Sequence, residues 1–72
     1  MKQKRLWEGA FAFGQFLLFH EYEKGEDGRP RYRDWAAYPL KGNEDLPYLK
    51  RPNGEIIERA KNMRELKKKL TQ

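Results

Sequence analysis

The 72 residues allow one domain, 1–72, and a chain this short buries only about 60% of its unfolded surface. It has no cysteine, which excludes disulfides and thiolate metal sites, so its core must come from the Phe, Trp and Tyr residues that make up 14% of the chain. Lys and Arg number 16 against 11 Asp and Glu, a net charge of +5 that points to anionic partners such as nucleic acid. The excess is uneven: residues 1–36 hold seven basic and six acidic groups, residues 37–72 nine and five. A cysteine-free chain also fits a reducing, cytoplasmic setting.

Residues 1–5 are polar and are expected to be disordered. Lys2, Lys4 and Arg5 precede an apolar stretch in the manner of a signal peptide, but Glu8 and Gln15 interrupt it and no small-x-small cleavage site follows. The stretch also falls short of the roughly 20 apolar residues that cross a bilayer, so a first core strand is the better reading. Residues 6–22 alternate as a strand does, with Phe11 and Phe13 on one side and Ala10 and Ala12 on the other. Gly14 breaks the run, which makes 6–13 and 15–23 either two strands or one bent strand.

Residues 15–23 and 31–40 pair as a hairpin about the loop 25–29, GEDGR. In that register Glu23 faces Arg31, Glu21 faces Arg33, Phe19 faces Trp35 and Leu17 faces Ala37. On the other surface Tyr22 faces Tyr32, His20 faces Asp34, Leu18 faces Ala36 and Phe16 faces Tyr38. Opposite-charge and aromatic pairs contribute roughly 0.2–1 kcal/mol each, and agreement on both surfaces selects this register. The run 16–19, FLLF, is apolar on both sides. It asks for a helix over one face, and for a second chain or a fold-back of the first segment over the other.

A polar connection, 41–45, follows, and 46–51 reads as a short third strand. Pro52, Asn53 and Gly54 mark a turn that places Arg51 opposite Glu55 and Leu49 opposite Ile57, with Gly54 left-handed. For 55–61 two readings stay open. Ile56, Ala60, Met63, Leu66 and Leu70 make a helical stripe beginning at the turn. Asn62 with Glu65 makes a capping box, which favours a strand through about Arg59 and a helix over about 62–71. Lys67, Lys68 and Lys69 then complement the helix dipole. The expected fold is α+β: an antiparallel sheet of three or four strands with one C-terminal helix. Phe16, Leu18, Phe19, Trp35, Tyr38, Ile57, Met63, Leu66 and Leu70 are the expected core.

The chemistry argues against an enzyme. There is no Ser or Cys, and the single Thr71 stands beside the terminus, so hydroxyl and thiol nucleophiles of the usual kind are missing. The lone His20 opposite Asp34 reads as a hydrogen-bonded hairpin histidine. No catalytic residue, metal site, cofactor or small-molecule substrate is expected, and no membrane partner. A non-enzymatic binding protein remains. Nucleic acid is the leading partner, through Arg29, Lys50, Arg51, Lys61, Arg64, Lys67 and Lys68. The alternative is a protein-binding or homodimerisation module using an aromatic patch of Leu6, Trp7, Phe11 and Phe13.

Residues 9–14, GAFAFG, resemble the aromatic strand motif of RNA-recognition domains, though without the leading basic residue, and Phe11 and Phe13 read better as core. In element order alone, residues 15–70 resemble the DNA-binding domains at the N-termini of some tyrosine integrases. That likeness implies groove reading by a three-stranded sheet.

Overall fold

The computed structural model describes residues 2–71. Five strands, β1 (Gln3–Trp7), β2 (Ala10–Phe13), β3 (Phe16–Lys24), β4 (Pro30–Pro39) and β5 (Glu58–Ala60), form one sheet in the order β1-β2-β3-β4-β5, with every neighbouring pair antiparallel. A single helix, α1 (Met63–Leu70), follows. The class is the expected α+β; the strand count is higher. The first segment folds back as two strands, and Gln3 to Arg5, expected to be disordered, pair with Phe11 to Phe13. Backbone ladder bonds, which need no apolar pattern, hold this polar stretch.

Phe13 faces Phe16 across a two-residue turn whose first residue, Gly14, has φ +60°. That is the conformation for which a type II′ hairpin turn uses glycine. The β3–β4 loop is 25–29 as expected: Gly25 N–H donates to Arg29 O at 2.8 Å, and Gly28 has φ +80°. Next to it Tyr22 faces Tyr32 and Glu23 faces Arg31, also as expected.

Farther from the loop the register departs by one residue. His20 faces Trp35, Phe19 faces Ala36, Leu18 faces Ala37, Leu17 faces Tyr38 and Phe16 faces Pro39. Glu21 alone stands against both Arg33 and Asp34, which defines a β-bulge. The expected couples Phe19–Trp35, His20–Asp34, Leu18–Ala36, Leu17–Ala37 and Phe16–Tyr38 are therefore not made, and Glu21 bonds Arg51 rather than Arg33. The slip puts Phe19 opposite Ala36 and Leu18 opposite Ala37, and successive couples fall on alternate faces. Leu17, Phe19, Ala36 and Tyr38 pack in one cluster with Ala10 and Leu46. Leu18, Ala37, Phe13, Ala60 and Leu66 pack in the other, with Phe11, Phe16, Trp35, Met63 and Leu70 at its margin.

Each face has its own cover. α1 starts where the capping box implies: the Asn62 side chain accepts from Glu65 N–H at 2.8 Å. Leu66 of α1 is fully buried on the sheet. The opposite face is covered by residues 40–57, a strap without helix or strand. The third strand expected at 46–51 does not form. Pro47 and Pro52 have no N–H for a ladder, Leu49 is left-handed (φ 59°), and Leu46 and Leu49 reach the core at a spacing of three. The hairpin expected around Pro52 to Gly54 is also absent, although Gly54 is left-handed at φ +90°. Ile57 N–H donates to Ala37 O at 2.7 Å instead, and Ile57, an expected core residue, is 50% exposed. Asn43, only 1% exposed, locks the strap: its amide donates to Pro39 O (2.7 Å) and Asn53 O (3.0 Å), and its Oδ1 accepts from Asn53 N–H (2.8 Å).

Candidate functional site

The seven basic residues read from the sequence divide among three places. Arg29 lies at the tip of the β3–β4 hairpin beside Asp27. Lys50 and Arg51 lie on the strap, on the face away from α1. Lys61, Arg64, Lys67 and Lys68 come together on α1 and its approach. Lys61, Arg64 and Lys68 are exposed. Lys67 is half-buried, with its ammonium 5.3 Å from the Phe13 ring centre, and it hydrogen-bonds to Gln3 Oε1. That bond ties β1 to α1 and brings in Arg5, an exposed cation assigned from sequence to a disordered segment; Lys4, opposite Ala12, falls on the other face. Gln3 and Arg5 stand opposite Phe13 and Phe11, so they share the face of the sheet on which α1 lies.

Five acids elsewhere are ion-paired. Among the described residues the ion pairs are Arg29–Asp27, Arg33–Glu23, Arg51–Glu21, Arg59–Asp34 and Lys69–Glu58. Glu8 accepts from the Tyr32 hydroxyl at 2.6 Å. Burial, and then this bond, pushes the Tyr32 phenol well above its usual range. Lys4, Arg5, Lys61, Arg64, Lys67 and Lys68 make no ion pair among the described residues, and Glu65 is the one acid in α1.

The four residues of the expected aromatic patch are not gathered. Leu6 and Trp7 pack on the strap side, Phe11 and Phe13 on the helix side. The large apolar side chains left exposed are Tyr48, Ile56 and Ile57. His20 is stacked between Tyr32 and Trp35 at ring distances of 4.4 and 4.3 Å, with Nε2 3.0 Å from Arg33 O, so this nitrogen carries the proton and donates. Asp34, its expected partner, accepts from Arg59 instead. Among the described residues no group of His, Asp and Glu gathers as a metal site, and no helix is long and apolar enough to cross a membrane.

The bulge builds a second feature that sequence reasoning missed. Glu21, Arg33, Asp34, Tyr38, Arg51 and Arg59 line a polar cleft of about 360 Å³ on the strap side. Glu21 is buried there; its Oε1 accepts from Tyr38 O–H at 2.6 Å and its Oε2 from Arg51 at 3.1 Å. Burial, and then the bond to Glu21, raises the Tyr38 phenol well above its usual range. Arg51 also donates to Tyr22 O at 2.8 Å and lies over the Tyr22 ring. Cross-strand pairing in an ideal ladder gives no sign of such a site, because it exists only through the extra residue on β4. No protein-family model, curated protein or solved structure matches the chain.

Proposed function

We propose that this is a non-enzymatic nucleic-acid-binding protein of the cytoplasm that holds the phosphate backbone on α1 and β1. One observation carries the reading. Lys61, Arg64 and Lys68 are exposed and make no ion pair among the described residues, and Arg5, opposite Phe11 on the strand that Lys67 ties to the helix, stands on the same face. Unneutralised cations on one surface attract phosphates and release counterions. Arg29 and Lys50 lie apart from this surface and are left out of it. Arg51 is committed to Glu21 and Tyr22.

The test is fluorescence anisotropy with random single-stranded and duplex oligonucleotides across a range of salt. Binding weakens as salt rises, and replacing Lys61, Arg64 and Lys68 by Gln lowers the slope of log affinity against log salt by roughly 0.7–0.9 for each phosphate the variant no longer neutralises. No binding at low salt overturns the reading. A mass that grows with protein concentration, together with no binding, favours the self-association alternative.

A further inference from the structure

We propose that the cleft at the β-bulge receives an unpaired guanine base. The inference rests on the nucleic-acid reading for the source of the base, and it starts from the balance of charge in the cleft. Three arginines, Arg33, Arg51 and Arg59, share it with three acids, Glu21, Glu23 and Asp34. A free oxyanion meets the three carboxylates, and a free cation meets the three guanidinium groups. An apolar ligand finds a wall that is mostly polar.

A neutral ligand rich in hydrogen-bonding groups suits this wall, because the ion pairs leave many valences unused. Arg59 gives only one N–H, at 3.4 Å, to Asp34 Oδ2, and Arg33 gives one to Glu23 at 2.8 Å. A guanidinium has five N–H donors and a carboxylate about four acceptor positions. Asp34 Oδ1 accepts no bond among the described residues. Such a ligand can therefore bond to both signs without separating them.

Guanine presents the matching edges. Its O6 and N7 are adjacent acceptors for a guanidinium, and its N1–H and N2–H₂ are adjacent donors for a carboxylate. Arg59 and Asp34, with Arg33 alongside, are the pair placed to read them. Glu21 and Arg51 do other work: bonded to Tyr38 and to Tyr22 O, they hold the floor of the cleft rigid. The volume falls within the usual range for small-ligand sites, and bulges of this kind recur where a strand must re-aim side chains toward a ligand.

Guanosine, adenosine, cytidine, uridine, ribose 5-phosphate and inorganic phosphate are titrated separately into the full chain, followed by amide chemical shifts. Guanosine is expected to move residues 21–23, 33–34 and 59 saturably and more tightly than the other nucleosides. Asp34→Asn and Arg59→Gln, both outside the apolar core, should each weaken it about tenfold while the remaining spectrum is preserved. Equal shifts from all four nucleosides, the same shifts from ribose 5-phosphate or inorganic phosphate, or no shift at all overturn the inference. Because these probes carry no polymer backbone, the result is independent of the salt-dependent oligonucleotide binding that tests α1.

Discussion

The two faces of the sheet are covered by opposite means. On one side α1 brings Met63, Leu66 and Leu70 onto Leu18, Ala37 and Phe13. A helix satisfies its own backbone, so it needs only an apolar stripe and a cap. On the other side the strap 40–57 brings Leu46 and Leu49 onto Phe19, Tyr22 and Tyr38 but has no ladder of its own. Turn bonds such as Asn43 N–H to Leu40 O and Lys50 N–H to Pro47 O meet some of its carbonyl and N–H groups, and side chains meet others. Asn43 meets Asn53 O and N–H, the Tyr22 hydroxyl donates to Leu49 O, and Arg51 anchors the strap to Glu21 and Tyr22 O on β3. Apolar contact holds one cover, and buried polar bonding holds the other.

Four substitutions sharpen that contrast. Leu66→Ala empties the fully buried site under the helix and should cost about 3 kcal/mol in urea unfolding. Asn43→Ala leaves Pro39 O and Asn53 N–H without partners and should cost about 2 kcal/mol. If the strap is a true layer, amide protection in β3 and β4 falls with it. Exchange that speeds up only within 40–57 would show the strap to be an appendage and break the comparison.

Tyr38→Phe takes a donor from the buried Glu21 carboxylate and should cost about 1.5 kcal/mol near neutral pH. It should also alter the alkaline limb. The folded state raises the Tyr38 and Tyr32 phenols, so it holds their protons where the unfolded chain, with phenols near about 10, loses them. Stability is therefore full below about pH 10 and declines as pH rises through the higher folded values. The variant should show a shallower decline. Asn62→Ala, which removes the α1 cap, should cost about 1 kcal/mol and leave exchange in the strap unchanged.

What the sequence discloses follows the same division. The 25–29 loop, the Tyr22–Tyr32 and Glu23–Arg31 couples and the start of α1 rest on local chemistry, and all were readable. The bulge was not. Its register is decided by cover on both faces and by Glu21 reaching Arg51, 30 residues away. The strap was misread as a strand because its order comes from Asn43 and the two prolines rather than from alternation. Part of the basic surface was legible on α1. The contribution of β1 was hidden because a polar run carries no apolar period, and Glu8-Gly9 is not among the strong turn signals that would have revealed the fifth strand. The cleft could not be read, since it needs both the bulge and the strap.

Every strand in this sheet lies beside its neighbour in the chain, so most pairings close short loops. Only β4 and β5 must wait for the intervening strap. During synthesis the first four strands can zip together as they emerge, while Leu18, Ala37 and Trp35 stay bare until α1 leaves the ribosome. A chain cut off before residue 58 is thus a half-dressed sheet, sticky on the side where Leu18 and Ala37 lie bare, and prone to aggregate there.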